Sequence, residues 1–119
     1  MSASPIYGMD SVRTIAFAEA LARLQTLLGE EVRIHVNFRG TFGGCALEGR
    51  LTRIHTLPPD YAAVDILLED RQSVMLDPID TEVLLAEAEG SEDWWVEFHL
   101  PSGVVAAIER VPEEAMSAR

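Results

Sequence analysis

From Val32 to Arg39 apolar and polar side chains alternate without a break. Val32, Ile34, Val36 and Phe38 fall on one side; Arg33, His35, Asn37 and Arg39 fall on the other. A period of two marks a half-buried strand, because successive Cβ atoms point to opposite faces of a sheet. His35 is therefore expected on the wet face. The loop Gly40-Thr41-Phe42-Gly43-Gly44 follows, and it lacks both the lysine and the following helix of a phosphate loop. It reads as a hairpin tip carrying one aromatic side chain, Phe42.

The chain after this loop keeps the strand pattern. Leu47, Gly49 and Leu51 share a face, and then the phase slips so that Ile54 looks inward. A glycine in mid-strand followed by a slip predicts a bulge or sharp bend. Pro58-Pro59-Asp60 breaks that strand. Val64, Ile66 and Leu68 predict a third strand, Val74 and Leu76 a fourth, and Val83 with Leu85 a short fifth after Asp77-Pro78. Trp94 to Leu100 and Gly103 to Ile108 flank Pro101-Ser102-Gly103 and read as a hairpin. Trp95 shares a face with Glu97 and His99, so it is expected half exposed.

Before the first strand, Ser11 to Leu28 carries helical spacing. Phe17, Leu21, Leu24 and Leu28 form a stripe that Ala20 and Leu27 widen and Val12 and Ile15 extend. Asp10 or Ser11 is the expected N-cap, and Gly29 the residue that ends the helix. These readings divide the chain into an arm (residues 1–10), a helix with a small barrel (11–86), an acidic linker (87–93), an added hairpin (94–111) and a tail (112–119).

Charge narrows the function classes. The formal net charge is -11, and all nine basic residues are arginine. Such a surface repels phosphate at long range, which counts against nucleic acid and against an anionic membrane. A single cysteine, Cys45, allows no internal disulfide. The first ten residues lack the basic-then-apolar pattern of a signal peptide, and no run approaches the ~18 apolar residues of a membrane helix. A cytoplasmic location is the resulting expectation.

The order of elements carries a resemblance. A helix, then Leu28-Gly29-x-x-Val32-x-Ile34-x-Val36, then Gly49-x-Leu51, two short strands and a fifth after a kink together resemble the Sm-like family. The similarity spans roughly residues 11 to 86. It implies a strongly bent, five-stranded SH3-like barrel with an N-terminal helix, and an assembly that can be a ring. The family's RNA contacts do not carry over. His55 stands where the family has an aspartate, Pro58-Pro59 where it has Met-Asn, and Asp77-Pro78 where it has Arg-Gly.

No reaction is legible. His35, His55 and His99 lie on separate predicted strands, and no pair has metal-ligand spacing within one element. No serine stands in a Gly-x-Ser-x-Gly turn. An enzyme, a cofactor and a metal are not expected. The expectation is a mainly β interaction module that assembles with itself or with another protein. Its candidate contact residues are Phe42, Tyr61, Trp95, Arg33, Arg39, Arg50 and Arg53. On this reading Trp95→Ala or Phe42→Ala weakens association without unfolding the domain. A nucleic-acid-binding regulator using the arginine hairpin is the second reading, and a small ligand-binding or enzymatic barrel the third.

Overall fold

The computed structural model describes residues 11–38, 44–56, 63–88 and 93–111. Among these, eight strands and one helix form: β1 (Ser11–Ile15), α1 (Phe17–Gln25), β2 (Glu31–Phe38), β3 (Gly44–Thr56), β4 (Val64–Leu68), β5 (Ser73–Leu76), β6 (Glu82–Glu87), β7 (Trp94–His99) and β8 (Val104–Arg110). All strand pairs are antiparallel, and the order across the sheet is β1-β6-β7-β8-β2-β3-β4-β5. The protein is thus mainly β with one helix, as its alternation predicts. The sheet is not a closed barrel.

Strand β3 makes the bend. Its first half pairs with β2, from Gly44 to Arg50, and its second half pairs with β4. The register shifts between Leu51 and Arg53. An extra residue on one strand raises the local twist and turns the chain, as the phase slip after Gly49 predicts. The two arms of the bent sheet face one another across a single core. Ile34, Ile108, Phe98 and Leu85 from one arm meet Leu51, Ile66 and Leu76 from the other, all fully buried.

Helix α1 closes one end of this core. Phe17 packs edge-on against Phe98 at 5.4 Å between ring centres. Ala20 and Leu24 are fully buried. The helix is shorter than its spacing predicts. Residues 11 to 15 are strand, not the first helical turn, and the N-cap is Ala16 without a side-chain hydrogen bond. Ser-Val-Arg-Thr-Ile is rich in β-branched side chains, which favour a pleated surface. Pairing with β6, from Ser11–Glu87 to Ile15–Val83, decides the matter. At the other end the helix stops at Gln25, and turns continue through Leu27 and Leu28, whose N–H groups donate to Leu24 and Gln25. Leu27 is buried and Leu28 exposed, so the stripe ends one residue early. Gly29 has φ +87°, as a glycine that ends such a segment is expected to.

The predicted fifth strand forms as β6 but does not complete a five-stranded barrel with β2. It pairs with β1 and β7 instead. The flank of β2 is taken by β8, along Val32–Arg110 to Phe38–Val104. The 94–111 hairpin therefore lies inside the sheet, where sequential order alone would not place it.

Two hairpins use the same turn with different residues. In β7–β8, Gly103 N–H donates to Leu100 O and Leu100 N–H to Val104 O, with Gly103 at φ +96°. In β4–β5, Arg71 N–H donates to Leu68 O and Leu68 N–H to Gln72 O, with Arg71 at φ +71°. This three-residue loop calls for glycine at its left-handed position, where a Cβ costs ~1–2 kcal/mol. Arg71→Gly is expected to raise unfolding stability by about 1 kcal/mol in urea titration. Phe98→Ala is expected to lower it by about 3–5 kcal/mol in the same titration.

Candidate interaction surface

The outer, convex face of the sheet gathers the polar halves of its strands. One row across it runs Val12, Ala86, Trp95, Glu109, Arg33 and Glu48. Arg33 Nε donates to Glu48 at 2.8 Å and its Nη1 lies 3.8 Å from Glu109. His35 Nε2 also meets Glu109, at 3.0 Å. The predicted arginine candidate Arg33 is thus held by two carboxylates. Arg50 stands 3.7 Å from Glu69, and Arg53 reaches His55 Nδ1 at 3.1 Å. Phe42, Tyr61 and Arg39 lie outside the described residues.

Trp95 is half-buried, and its indole N–H is shielded from solvent without a hydrogen-bond partner. Directly opposite it across the ladder stands Ala86, which is fully buried although it lies on the outer face. Val12 flanks Ala86 on the other side. Opposed side chains in a ladder are close enough to cover one another. Trp95 is therefore placed as a cover for β6.

The histidines do not converge. His35 is engaged by Glu109, His99 by Glu97 at 2.9 Å, and His55 by Arg53. Among the described residues no group of three or more His, Cys, Asp or Glu is placed to hold a metal ion. A cleft of about 360 Å³ opens at the helix end of the core, with Arg23, Arg110, Glu30, Glu87 and Trp94 on its walls. Its charges are already matched. Arg23 donates to Glu87 at 3.1 Å and stacks 5.5 Å from the Trp94 ring centre, and Arg110 reaches Glu30 at 3.5 Å. A ligand entering there would have to displace these pairs.

The margin of the sheet is different. Among the described residues β5 pairs with β4 alone and β1 with β6 alone. On β5 Met75 is 58% exposed, and just past the strand Ile79 is 57% exposed. Hydrogen bonds in an antiparallel ladder alternate between facing and non-facing pairs. Since Leu68 N–H donates to Gln72 O, the narrow pairs continue at Ile66–Val74 and Val64–Leu76. The N–H and C=O of Ser73 and Met75 accordingly point to the open side. Sequence reasoning missed this edge because a strand's neighbours are not written in its own residues. The exposed Met75 between the inward Val74 and Leu76 was the available signal.

Among the described residues no helix is long and apolar enough to cross a membrane. Comparison with protein-family models, with curated proteins and with solved structures finds no match.

The Arg33–Glu48 pair is about one-third exposed on both sides. A double-mutant cycle with Arg33→Met and Glu48→Gln is expected to give a coupling of about 0.5–1 kcal/mol that shrinks in high salt.

Proposed function

We propose that this protein is a non-catalytic interaction module that assembles with itself. The observation that carries the reading is the β5 edge, which pairs with β4 alone among the described residues, turns the backbone groups of Ser73 and Met75 outward and exposes Met75 and, just past the strand, Ile79. An unprotected strand edge is a template for pairing with another chain. Proteins usually blunt such edges with charge, proline or a covering element; β5 itself carries no charged residue.

The charged side chains fit the same reading. Arg33 and Arg50, two of the four arginines of the hairpin, are engaged by carboxylates of their own chain, which compete with phosphate for them. The resemblance to the Sm-like family is supported by the β2–β3–β4–β5 meander and its bend after Gly49. Placement of β8 against β2 speaks against the family's barrel. Self-association is therefore argued from the β5 edge and not from the family.

The contact surface shifts accordingly from Trp95 to β5. Light scattering is the direct test. A mass above that of one chain, persisting in high salt, is expected, since salt screens the repulsion between chains of net charge -11. A single-chain mass at every concentration and salt would overturn the proposal. Trp95→Ala is expected to lower stability by about 2 kcal/mol by uncovering β6, while leaving the solution mass unchanged.

A further inference from the structure

Resting on the reading of self-association, we infer that the partner of β5 is β5 of a second copy, paired antiparallel about a two-fold axis at Met75. The edge is complementary to itself when reversed. Met75 is an outward-bonding residue, so two copies can exchange N–H···O bonds there in a narrow pair. The axis then sets Val74 opposite Leu76 of the second copy. Both residues belong on the core-facing side, so the two cores meet edge to edge beneath the new ladder. Met75 meets its own counterpart on the outer face, where it is exposed in the single chain.

The charges agree with this direction of pairing. Arg71 stands just before β5; Asp77 and Asp80 follow it. Among the described residues Arg71 and Asp80 form no ion pair, whereas Arg13, Arg23, Arg33, Arg50 and Arg110 each meet a carboxylate and Arg53 meets His55. Antiparallel pairing brings the Arg71 end of one β5 to the turn that follows β5 of the second copy, which carries Asp77 and Asp80. The two-fold repeats the contact, so each copy gives one cation and receives one acidic turn. Arg71 and Asp80 are also the two non-glycine residues with positive φ among those described, at +71° and +59°. A charged residue thus occupies the left-handed position of the β4–β5 turn where the β7–β8 turn has glycine.

The other margin, β1, which pairs with β6 alone among the described residues, does not have this self-complementarity. Its single charged residue, Arg13, is already engaged by Glu19 and Glu87. Pairing β5 of one copy with β1 of the next would also be heterologous and would continue into a ring or a fibre. Two-fold pairing of β5 closes at two copies.

The test uses the full chain, measured by light scattering and sedimentation across concentration at physiological ionic strength. Met75→Pro removes an N–H that the β4–β5 ladder does not use, so the single chain keeps its bonds. It is expected to weaken the dimer about tenfold or more, through loss of the two axial hydrogen bonds. Arg71→Gly relieves the turn and removes the cation, and it is expected to weaken the dimer about fivefold while the single chain becomes more stable. A wild-type dimer weakened by both changes supports the inference. A dimer indifferent to both, or a ring or fibre, overturns it while self-association stands. A wild-type single chain at all concentrations overturns both. Thermal unfolding of each variant separates loss of pairing from loss of fold.

Discussion

The pairing of β2 with β8 is the constraint on which the rest of this fold depends. It joins Val32–Phe38 to Val104–Arg110 across most of the chain. Such a contact carries a large loop-closure cost, which the burial of Ile34, Ile108 and Ala106 helps to offset. Once β8 occupies that flank of β2, β7 and β6 follow as its neighbours. Strand β1 then completes that arm. The bend in β3 brings the other arm over the core. The helix fits the remaining open end through Phe17, Ala20 and Leu24.

The same constraint explains why an edge is left open. In a closed barrel the last strand returns to the first and no backbone groups face outward. Here β2 already has two partners, and among the described residues β5 pairs with β4 alone. The outer face is handled differently from the edge. Its charges are matched within the chain, as in Arg33 between Glu48 and Glu109, and Trp95 lies against β6. Charge is matched on the face, whereas at the margin the backbone groups of Ser73 and Met75 have no ladder partner among the described residues. Its net charge of -11 keeps unrelated surfaces apart, while the short segment from Arg71 to Asp80 carries both signs.

Much of the local structure was legible in the sequence. The alternation in β2, the slip after Gly49, the strand Val64–Leu68 and the Pro101-Ser102-Gly103 turn all follow from side-chain period and turn chemistry. Each of those signals acts over a few residues. The errors lie where tertiary pairing chooses between local options. Val12 and Ile15 have spacing compatible with a helix, yet β6 draws them into a strand. Val83 and Leu85 form a strand as expected, but nothing in them specifies β7 and β1 as neighbours over β2. Of the candidate contact residues, Arg33 is engaged by carboxylates of its own chain and Trp95 lies half-buried against β6. The edge at Met75 is set by which strands pair, and its one local signal is an apolar residue on the outward phase between Val74 and Leu76.

Amide hydrogen exchange in β5, followed residue by residue as protein concentration rises, tests the central claim most directly. That claim is that β8 takes the flank of β2 and leaves β5 as a working edge. Val74 and Leu76 donate toward β4, so their amides should exchange slowly at every concentration. Met75 should exchange fast in dilute solution and slow as copies pair. Equal, concentration-independent protection at Val74 and Met75 would mean that β5 is already covered within one chain, and would contradict the account.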